Sequence, residues 1–254
     1  MKKTIALVLA LVLALGLIAC GQKPAANTSD LKTVNPGKLT MSTNAQFPPY
    51  EMVADNGGFE GIDVEIATAI AAKLGLELQI DDMDFDAALQ AVQQGKSDVA
   101  LAGLTVTDER KQVMSFSDTY ANGVQVVIVK EGSDVTLNNL GEKQIGTQRG
   151  TTGNIYASDD FGDAHVIAYD NGASAVQALI NGQVDCVIID NNPALEYVKA
   201  NAGLKILESA YTQEDYAIGM GKDNTALIEA VNNALKELIA DGTVKSILDK
   251  YIAA

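Results

Sequence analysis

One stretch of this sequence occurs twice in similar form: LQAVQQGKSDVALAG at residues 89–103 and VQALINGQVDCVIID at residues 176–190, which align without a gap. The identical positions are Gln90 and Gln177, Ala91 and Ala178, Gly95 and Gly182, and Asp98 and Asp185. Each copy has the pattern of a helix end, a glycine that stops the helix, a short turn, an aspartate and an apolar strand. The repeat therefore predicts two similar α/β lobes. Each presents the last residue of its strand, Gly103 or Asp190, at the carboxyl edge of a sheet, where ligands bind in open α/β folds.

Strand and helix patterns alternate along the rest of the chain. Helical spacing of apolar residues predicts helices at residues 63–74, 84–94, 152–158, 173–180, 193–199, 224–241 and 244–251. Apolar runs predict strands at residues 39–43, 76–80, 99–101, 123–129, 144–147, 166–169, 186–189 and 216–220. This order favours an α/β fold with largely parallel sheets.

The order of these elements also divides the chain into lobes. We predict that lobe one comprises residues 38–122 and 217–254 and that lobe two comprises residues 123–216. The chain then crosses between the lobes twice, and two extended crossings make a hinge. Periodicity alone could equally place the long helix at residues 224–241 on lobe two.

The N-terminus has the pattern of an export signal. Lys2 and Lys3 precede an apolar run at residues 5–18, which is too short for a membrane span of about 20 residues. The sequence LIAC that ends at Cys20 resembles the lipobox of bacterial lipoproteins. We predict a signal peptide at residues 1–19, lipidation of Cys20 and a polar tether at residues 20–37. The alternative is an ordinary signal peptide with a chance cysteine.

Composition excludes several classes of function. The formal net charge is −15, and loss of Lys2 and Lys3 with the signal would make it −17, so nucleic acid and anionic lipid are unfavourable partners. The sequence contains a single histidine, His165, which argues against a histidine-based metal cluster or catalytic triad. Lipidation of Cys20 would leave Cys186, in an apolar run, as a buried free cysteine. We expect no metal and no cofactor.

Six segments together resemble one known family, the polar amino-acid-binding solute-binding proteins of bacterial ABC importers. They are TNAQFPPYE (43–51), GIDVEIATAIAAKLG (61–75), MDFDAALQAVQQGKSDV (83–99), AGLTVTDERKQVMSFSDTY (102–120), RGTTG (149–153) and IIDNNPA (188–194). The resemblance spans the mature chain in order. It implies a two-lobed, type II periplasmic-binding-protein-like α/β fold, with two parallel or mixed sheets joined by a two-strand hinge.

The resemblance assigns the ligand's carboxylate to Arg110 and to the start of a helix. Arginine offers a planar pair of donors to a carboxylate. Thr151 and Thr152, after Gly150, would add backbone N–H groups at a helix N-terminus. The competing interpretations are a surface arginine for Arg110 and an ordinary turn with an N-cap for the threonines, and capping is compatible with ligand binding.

The ammonium group is assigned to residues that follow the two repeat strands. The resemblance places the Gly103 carbonyl and the Thr105 hydroxyl near it, with Ala102 lining the wall. Asp190 ends a buried strand and needs a partner for its charge, which an ammonium group would supply. The alternative for Asp190 is the N-cap of the following helix, although Asn191 or Asn192 could serve instead.

The ligand's side chain is expected between two aromatic rings, Phe47 and Phe85, in a flat apolar slot. Phe85 could instead be a core residue of its helix. Relatives carry an acid near Asn44 and a lysine or another polar group near Gln148, so two neutral amides disfavour lysine and are compatible with glutamine, arginine, histidine or a smaller polar side chain. Tyr50 and Glu51 are expected to lie behind the ligand-contacting residues.

The sequence therefore predicts an exported, lipid-anchored monomer, outside the cytoplasmic membrane, that captures a free L-amino acid and delivers it to an ABC permease. Catalysis is not expected, because the candidate residues hold charges rather than move protons. The rival hypotheses are an enzyme on the same fold, such as a periplasmic dehydratase, and the ligand-sensing subunit of a signalling partner.

Overall fold

A computed structural model describes residues 31–208 and 211–252. The predicted signal peptide, Cys20 and the tether up to residue 30 lie outside the described residues. Lys32–Ala254 forms one compact unit. The last part of the predicted tether is bound to this unit, since the Val34 amide donates to Asp98 Oδ1 at 2.9 Å and Asn224 Nδ2 donates to the Lys32 carbonyl at 2.7 Å.

Strands and helices alternate through most of the described chain. The strands are β1 (Lys38–Thr43), β2 (Gln46–Phe47), β3 (Glu51–Val53), β4 (Phe59–Glu60), β5 (Glu77–Asp82), β6 (Val99–Ala100), β7 (Ser115–Lys130), β8 (Ile145–Gln148), β9 (Val166–Tyr169), β10 (Cys186–Asp190), β11 (Leu204–Ile206) and β12 (Thr212–Met220). The helices are α1 (Ile62–Lys73), α2 (Phe85–Gln93), α3 (Asp108–Val113), α4 (Thr152–Phe161), α5 (Gly172–Ile180), α6 (Asn191–Ala200), α7 (Thr225–Ala240) and α8 (Thr243–Tyr251).

Two long strands join the halves of the main sheet. Its strand order is β5-β1-β6-β12-β7-β10-β8-β9, and β11 also pairs with β7. The outer pairs, β1 with β5 and β6 and β8 with β9 and β10, are parallel. In the middle, β12 and β7 are antiparallel to each other and to their other neighbours. The sequence predicts two sheets, but the structure has one continuous hydrogen-bonded sheet, because both segments that cross between the halves are strands.

Each half of the sheet has its own apolar core. One cluster of buried side chains includes Phe85, Leu89, Val92, Leu104 and Met114. The other includes Val127, Leu140, Ile145, Cys186 and Ile188. Cys186 is free and buried, as predicted. Two separate cores are the physical counterpart of a two-lobed fold.

The long C-terminal helix, α7, packs against α1, β7 and α8. Its buried side chains lie on one face: Leu227, Val231, Ala234, Leu235 and Leu238. No helix within residues 31–208 and 211–252 is both long enough and apolar enough to cross a bilayer.

The two copies of the repeat form the same local hydrogen-bonded arrangement. In each copy a glycine with positive φ follows the helix, Gly95 after α2 and Gly182 after α5. Asp98 then exchanges two hydrogen bonds with Thr40, from Thr40 N to Asp98 Oδ2 (2.8 Å) and from Asp98 N to Thr40 O (2.9 Å). Asp185 exchanges the equivalent pair with Gln144, both at 2.8 Å. The shared aspartate therefore fixes the start of each buried strand against its parallel neighbour.

The apolar pattern of the sequence does not predict several strands, because these strands are polar. The predicted strand at residues 123–129 is the second part of β7, whose first part, SFSDTYAN, lacks a continuous apolar run. The first residues of β12, TQED, are polar for the same reason. β2, β3 and β4 form a separate small sheet beside the segment QFPPYE. In each case pairing with a neighbouring strand, rather than local composition, determines the structure.

Asp98→Ala and Asp185→Ala are a matched pair of tests of the repeat. Asp98 is buried and accepts two backbone N–H groups, whereas Asp185 is exposed and accepts one. Because unpaired buried donors are costly, we expect Asp98→Ala to lower the free energy of unfolding by about 2–3 kcal/mol and Asp185→Ala by about 0.5–1.5 kcal/mol. Urea unfolding followed by circular dichroism measures both. Equal losses would contradict this account of the repeat.

Candidate functional site

The sequence-predicted site residues come together in one cavity. The space is about 310 Å³, including the solvent at its mouth. It is lined by Asn44, Phe47, Phe85, Ala102, Gly103, Thr105, Arg110, Gln148, Thr151, Thr152 and Asp190, and also by Glu51. The structure thus brings all eleven predicted residues together. Their contacts with a ligand remain predictions.

Strand ends and helix starts position these side chains. Gly103 and Thr105 follow β6, Asp190 ends β10, and Thr152 begins α4 just after β8. Phe85 is the first residue of α2. The parallel strands of both halves therefore point their carboxyl ends at the cavity, as expected for ligand sites in α/β sheets.

Arg110 is a buried cation without a carboxylate partner. It is 8% exposed, and it takes part in none of the ion pairs found among the described residues. Its guanidinium donates to the Thr105 carbonyl at 2.8 Å and to the Gly150 carbonyl at 3.1 Å, and it lies 5.4 Å from the centre of the Phe85 ring. Burial lowers the pKa of Arg110. A guanidinium has five N–H donors, so it can still bind a carboxylate that enters the cavity.

The N-terminus of α4 also lines the cavity, next to the Gly150 carbonyl that accepts from Arg110. The Thr151 hydroxyl accepts a hydrogen bond from the Asn154 amide at 3.3 Å, so Thr151 caps the helix. The Thr152 hydroxyl lies 3.4 Å from that of Thr105. Gly150 has φ +73°, and a Cβ there would overlap the Asp86 carboxyl, so the approach of the two halves requires glycine at this position. Capping and ligand binding are compatible roles for this segment.

Asp190 is held by side chains rather than by a helix. It is the N-cap residue of α6, but its side chain makes no capping hydrogen bond. Its carboxyl instead accepts from Gln125 Nε2 at 2.8 Å and from the Tyr216 hydroxyl. Burial, followed by the charge of Glu214, raises the pKa of Asp190 to about 8. An ammonium group beside it would favour its ionised form.

The backbone at Gly103 forms part of the cavity wall. Its φ is +53°, and a Cβ would lie 2.6 Å from Phe47 Cε1, so a larger residue would displace the ring. The Gly103 amide donates to Asp63 Oδ2 at 2.9 Å, and the Tyr120 hydroxyl donates to Asp63 Oδ1 at 2.7 Å. Asp63 therefore fixes the loop that carries the predicted ammonium contacts.

Both predicted aromatic residues are buried at the cavity. The Phe47 ring stacks on Tyr50 with the centroids 5.9 Å apart, and Tyr50 meets Tyr216 edge-on at 5.1 Å. Phe85 belongs to a hydrophobic cluster and also lines the cavity, so both interpretations of this residue hold. The aromatic surface suits a flat or aliphatic side chain.

Two amides, Asn44 and Gln148, and a further carboxyl, Glu51, also line the cavity. Gln148 Nε2 donates to Asn44 Oδ1 at 3.0 Å, and Asn44 Nδ2 donates to the Met83 carbonyl at 2.9 Å. Glu51 is 0% exposed and lines the cavity itself, whereas the sequence predicted that it lies behind the lining residues. Burial, and then Asp63, raises the pKa of Glu51 well above its ordinary value.

Sequence reasoning missed the polar residues contributed by the two crossing strands. Glu214 and Tyr216 come from β12 and Gln125 comes from β7, and all three are buried beside Asp190 and Thr105. The cue available in the sequence was weak, since Gln125 interrupts the apolar run GVQVVIV. Their burial follows from the pairing of β7 with β12, which the sequence does not reveal.

The lining of the cavity complements a molecule that carries both charges. An unpaired buried cation, Arg110, and a buried acid, Asp190, are both part of it. A free α-amino acid supplies a carboxylate for the first and an ammonium group for the second. The remaining aromatic and polar lining would then surround its side chain.

Known proteins are similar to this chain in sequence and in fold. The model of the bacterial extracellular solute-binding proteins, family 3, matches residues 39–254. A probable histidine-binding protein of Neisseria gonorrhoeae is 32% identical over 261 residues, covering 100% of this chain and 96% of the relative.

Solved structures agree with the sequence comparison. The arginine-, lysine-, histidine-binding protein ArtJ of Geobacillus stearothermophilus has a TM-score of 0.81 at 34% identity, covering 85% of this chain and 96% of ArtJ. An ancestral arginine-binding protein bound to glutamine has a TM-score of 0.81 at 40% identity, covering 86% of this chain and 99% of that protein.

Arg110→Ala tests the carboxylate clamp. Removing the guanidinium would leave the ligand's carboxylate buried and unpaired, so we expect amino-acid binding to weaken about a hundred- to a thousandfold. Isothermal titration calorimetry measures the loss, and thermal unfolding checks that the fold remains.

Arg149→Ala is the matched control for this variant. Arg149 is exposed, lies 3.7 Å from Asp170 in an ion pair, and does not line the cavity. We expect its removal to leave affinity within about twofold, because exposed ion pairs contribute little. Retained affinity in Arg110→Ala, or an equal loss in Arg149→Ala, would remove Arg110 as the clamp.

Proposed function

The chain belongs to the bacterial extracellular solute-binding proteins of family 3, and from this premise we propose that its ligand is an arginine-type cationic amino acid. Family membership makes it a transport protein rather than an enzyme, one that captures a free amino acid outside the cytoplasm for an ABC importer. The choice among amino acids rests on the polar atoms that line the cavity.

The single observation that carries the choice is an excess of free acceptors. Both carboxyl oxygens of Glu51 and the Oε1 atom of Gln148 are buried and receive no hydrogen bond from any described residue. The amide nitrogens of Asn44 and Gln148 each donate one of their two hydrogens to a protein oxygen. A guanidinium has only donors, so it complements such a lining, whereas a glutamine side chain also brings a carbonyl that needs a donor.

Buried charge supports the same choice. Four carboxyls, those of Glu51, Asp63, Asp190 and Glu214, are buried in or around the cavity, against one buried cation, Arg110. Burial raises the pKa of Asp63 to about 6 and raises the pKa of Glu51 well above its ordinary value. A cationic side chain would compensate the acids that a neutral ligand leaves unpaired.

Similar proteins point in the same direction, since ArtJ is described as an arginine-, lysine-, histidine-binding protein. Glutamine is the second candidate. Asn44 and Gln148 are neutral amides, and the ancestral arginine-binding protein, which shares 40% identity, has been solved with glutamine bound.

We further propose that the two lobes close over the ligand about the crossing strands. Several hydrogen bonds span the cleft, including Arg110 to the Gly150 carbonyl, Gln148 to Asn44, and Asn192 Nδ2 to the Tyr50 hydroxyl at 2.9 Å. Ligand contacts from both sides would add to these bonds and favour the closed state. The proposed division places residues 38–122 and 217–254 in one lobe and residues 123–216 in the other.

The mode of attachment is a separate proposal. A basic start, a short apolar run and Cys20 at the expected cleavage point support export followed by lipidation of Cys20. A polar tether would then hold a monomeric body near the membrane face where its permease lies. The acidic surface, with a net charge of −15 for the full sequence and −17 without Lys2 and Lys3, keeps this body away from anionic headgroups.

Glu51→Gln tests the choice of ligand. With a panel of free amino acids in calorimetry, we expect arginine to bind the unmodified protein most tightly. Because the substitution removes the carboxylate that would pair with a guanidinium, we expect arginine to bind the variant about 10- to 100-fold more weakly. Glutamine should change by less than about threefold.

Glu60→Gln is the matched control, since Glu60 is exposed on β4, which pairs with the strand of Glu51. It should leave the binding of both ligands unchanged. Tightest binding of glutamine by the unmodified protein, or an equal loss for both ligands in Glu51→Gln, would overturn the arginine-type proposal. Failure of every amino acid to bind would instead overturn the function itself.

A further inference from the structure

Glu214 lies at the centre of a buried hydrogen-bond network that joins two of the three predicted ammonium contacts, Thr105 and Asp190. It is 6% exposed, and its Oε2 atom accepts from the Thr105 hydroxyl at 3.0 Å and from Gln125 Nε2 at 3.0 Å. The same Gln125 nitrogen donates to Asp190 Oδ2 at 2.8 Å. Both hydrogens of one amide are thus used to link two carboxylates.

The register of the central strands makes this network possible. Gln125 on β7 is paired directly with Asp190 on β10 and with Thr212 on β12, two residues before Glu214. The loop that carries Thr105 is tied to β12 by a bridge between Thr105 and Tyr216. Glu214 therefore lies on a crossing strand, between a group from each half of the sheet.

Glu214 is not among the residues that line the cavity. We infer that Glu214 is a positioning residue, which orients the Thr105 hydroxyl and, through Gln125, the Asp190 carboxylate toward the ammonium group of a bound amino acid. This inference rests on amino-acid binding but not on the identity of the ligand's side chain. It explains why a crossing strand buries an acid that makes no ion pair among those of the described residues.

The charge of Glu214 also acts on Asp190. Several titratable groups surround the two carboxyls: Tyr216 from β12, Tyr50 and Glu51 from the segment around β3, Arg110 from α3 and Tyr156 from α4. Among them Glu214 is the largest charged influence on Asp190 after burial, and it raises the pKa of that carboxyl.

The effect of Glu214 on the pKa of Asp190 predicts the direction in which amino-acid affinity changes with pH. With its pKa raised to about 8, Asp190 is mostly protonated below that pH, whereas an ammonium ligand requires the ionised carboxylate. Binding therefore releases a proton, and affinity increases as the pH rises toward that value. Removing the charge of Glu214 lowers the pKa of Asp190, so the affinity should reach its plateau at a lower pH.

The first experiment compares a ligand with its analogue that lacks the α-ammonium group. For arginine this analogue is 5-guanidinopentanoate, and for glutamine it is 4-carbamoylbutanoate. We expect Glu214→Ala to weaken the amino acid about 10- to 100-fold and the analogue by less than about threefold. An equal loss for both would show a merely structural role and overturn the inference.

The second experiment uses Glu214→Gln, which removes the charge but keeps a carbonyl to accept from Thr105 and Gln125. We expect affinity at pH 9 within about tenfold of the unmodified protein, and a pH profile displaced to lower pH. An unchanged profile would overturn the inference even if the analogue binds too weakly to measure.

Asp215→Ala is the control for both experiments, because Asp215 is the next residue of β12 and is exposed, bonded to Asn122. It should leave affinity and the pH profile unchanged. If no amino acid binds the unmodified protein at all, the proposed function fails, whereas binding with an insensitive Glu214 rejects the positioning role alone.

Discussion

The cleft depends on one physical constraint: two buried groups of opposite charge, Arg110 and Asp190, are kept apart. Arg110 and Asp190 are both buried, yet neither pairs with the other or with another ion among the described residues. Unpaired buried charges cost several kcal/mol, and this cost is reduced by the hydrogen bonds of Arg110 to carbonyls and by the raised pKa of Asp190. A zwitterionic ligand relieves both costs at once, which is the physical reason for it to favour the closed form.

The repeated segments of the sequence help to keep these groups apart. Matched arrangements around Asp98 and Asp185 fix two parallel strands at equivalent places in the two halves of the sheet. β6 is followed by Gly103, a glycine with positive φ, whereas β10 ends in the carboxylate of Asp190. Similar scaffolds thereby present a backbone carbonyl and a hydroxyl from one side and an anion from the other.

Much of this could be predicted from the sequence, and the remainder has a physical explanation. Helical spacing and apolar runs predicted α1, α2, α5, β9 and β10 to within about two residues. The cavity-lining residues were found because the segments around Asn44, Arg110 and Thr152 resemble a family, not because periodicity reveals a site. Glu214 and Gln125 were missed because their burial is created by long-range pairing of β7 with β12. Glu51 was placed behind the lining residues, since a sequence does not show which side chains of a loop face inward.

The most direct test of the central claim is a crystal structure of the protein with a bound amino acid. The account predicts that the carboxylate pairs with Arg110 and the α4 N-terminus, that the ammonium group meets Asp190, Thr105 and the Gly103 carbonyl, and that a cationic side chain extends past Phe47 and Phe85 to Glu51. A ligand bound in the reverse orientation, or outside the cavity with Arg110 and Asp190 still unpaired, would contradict it.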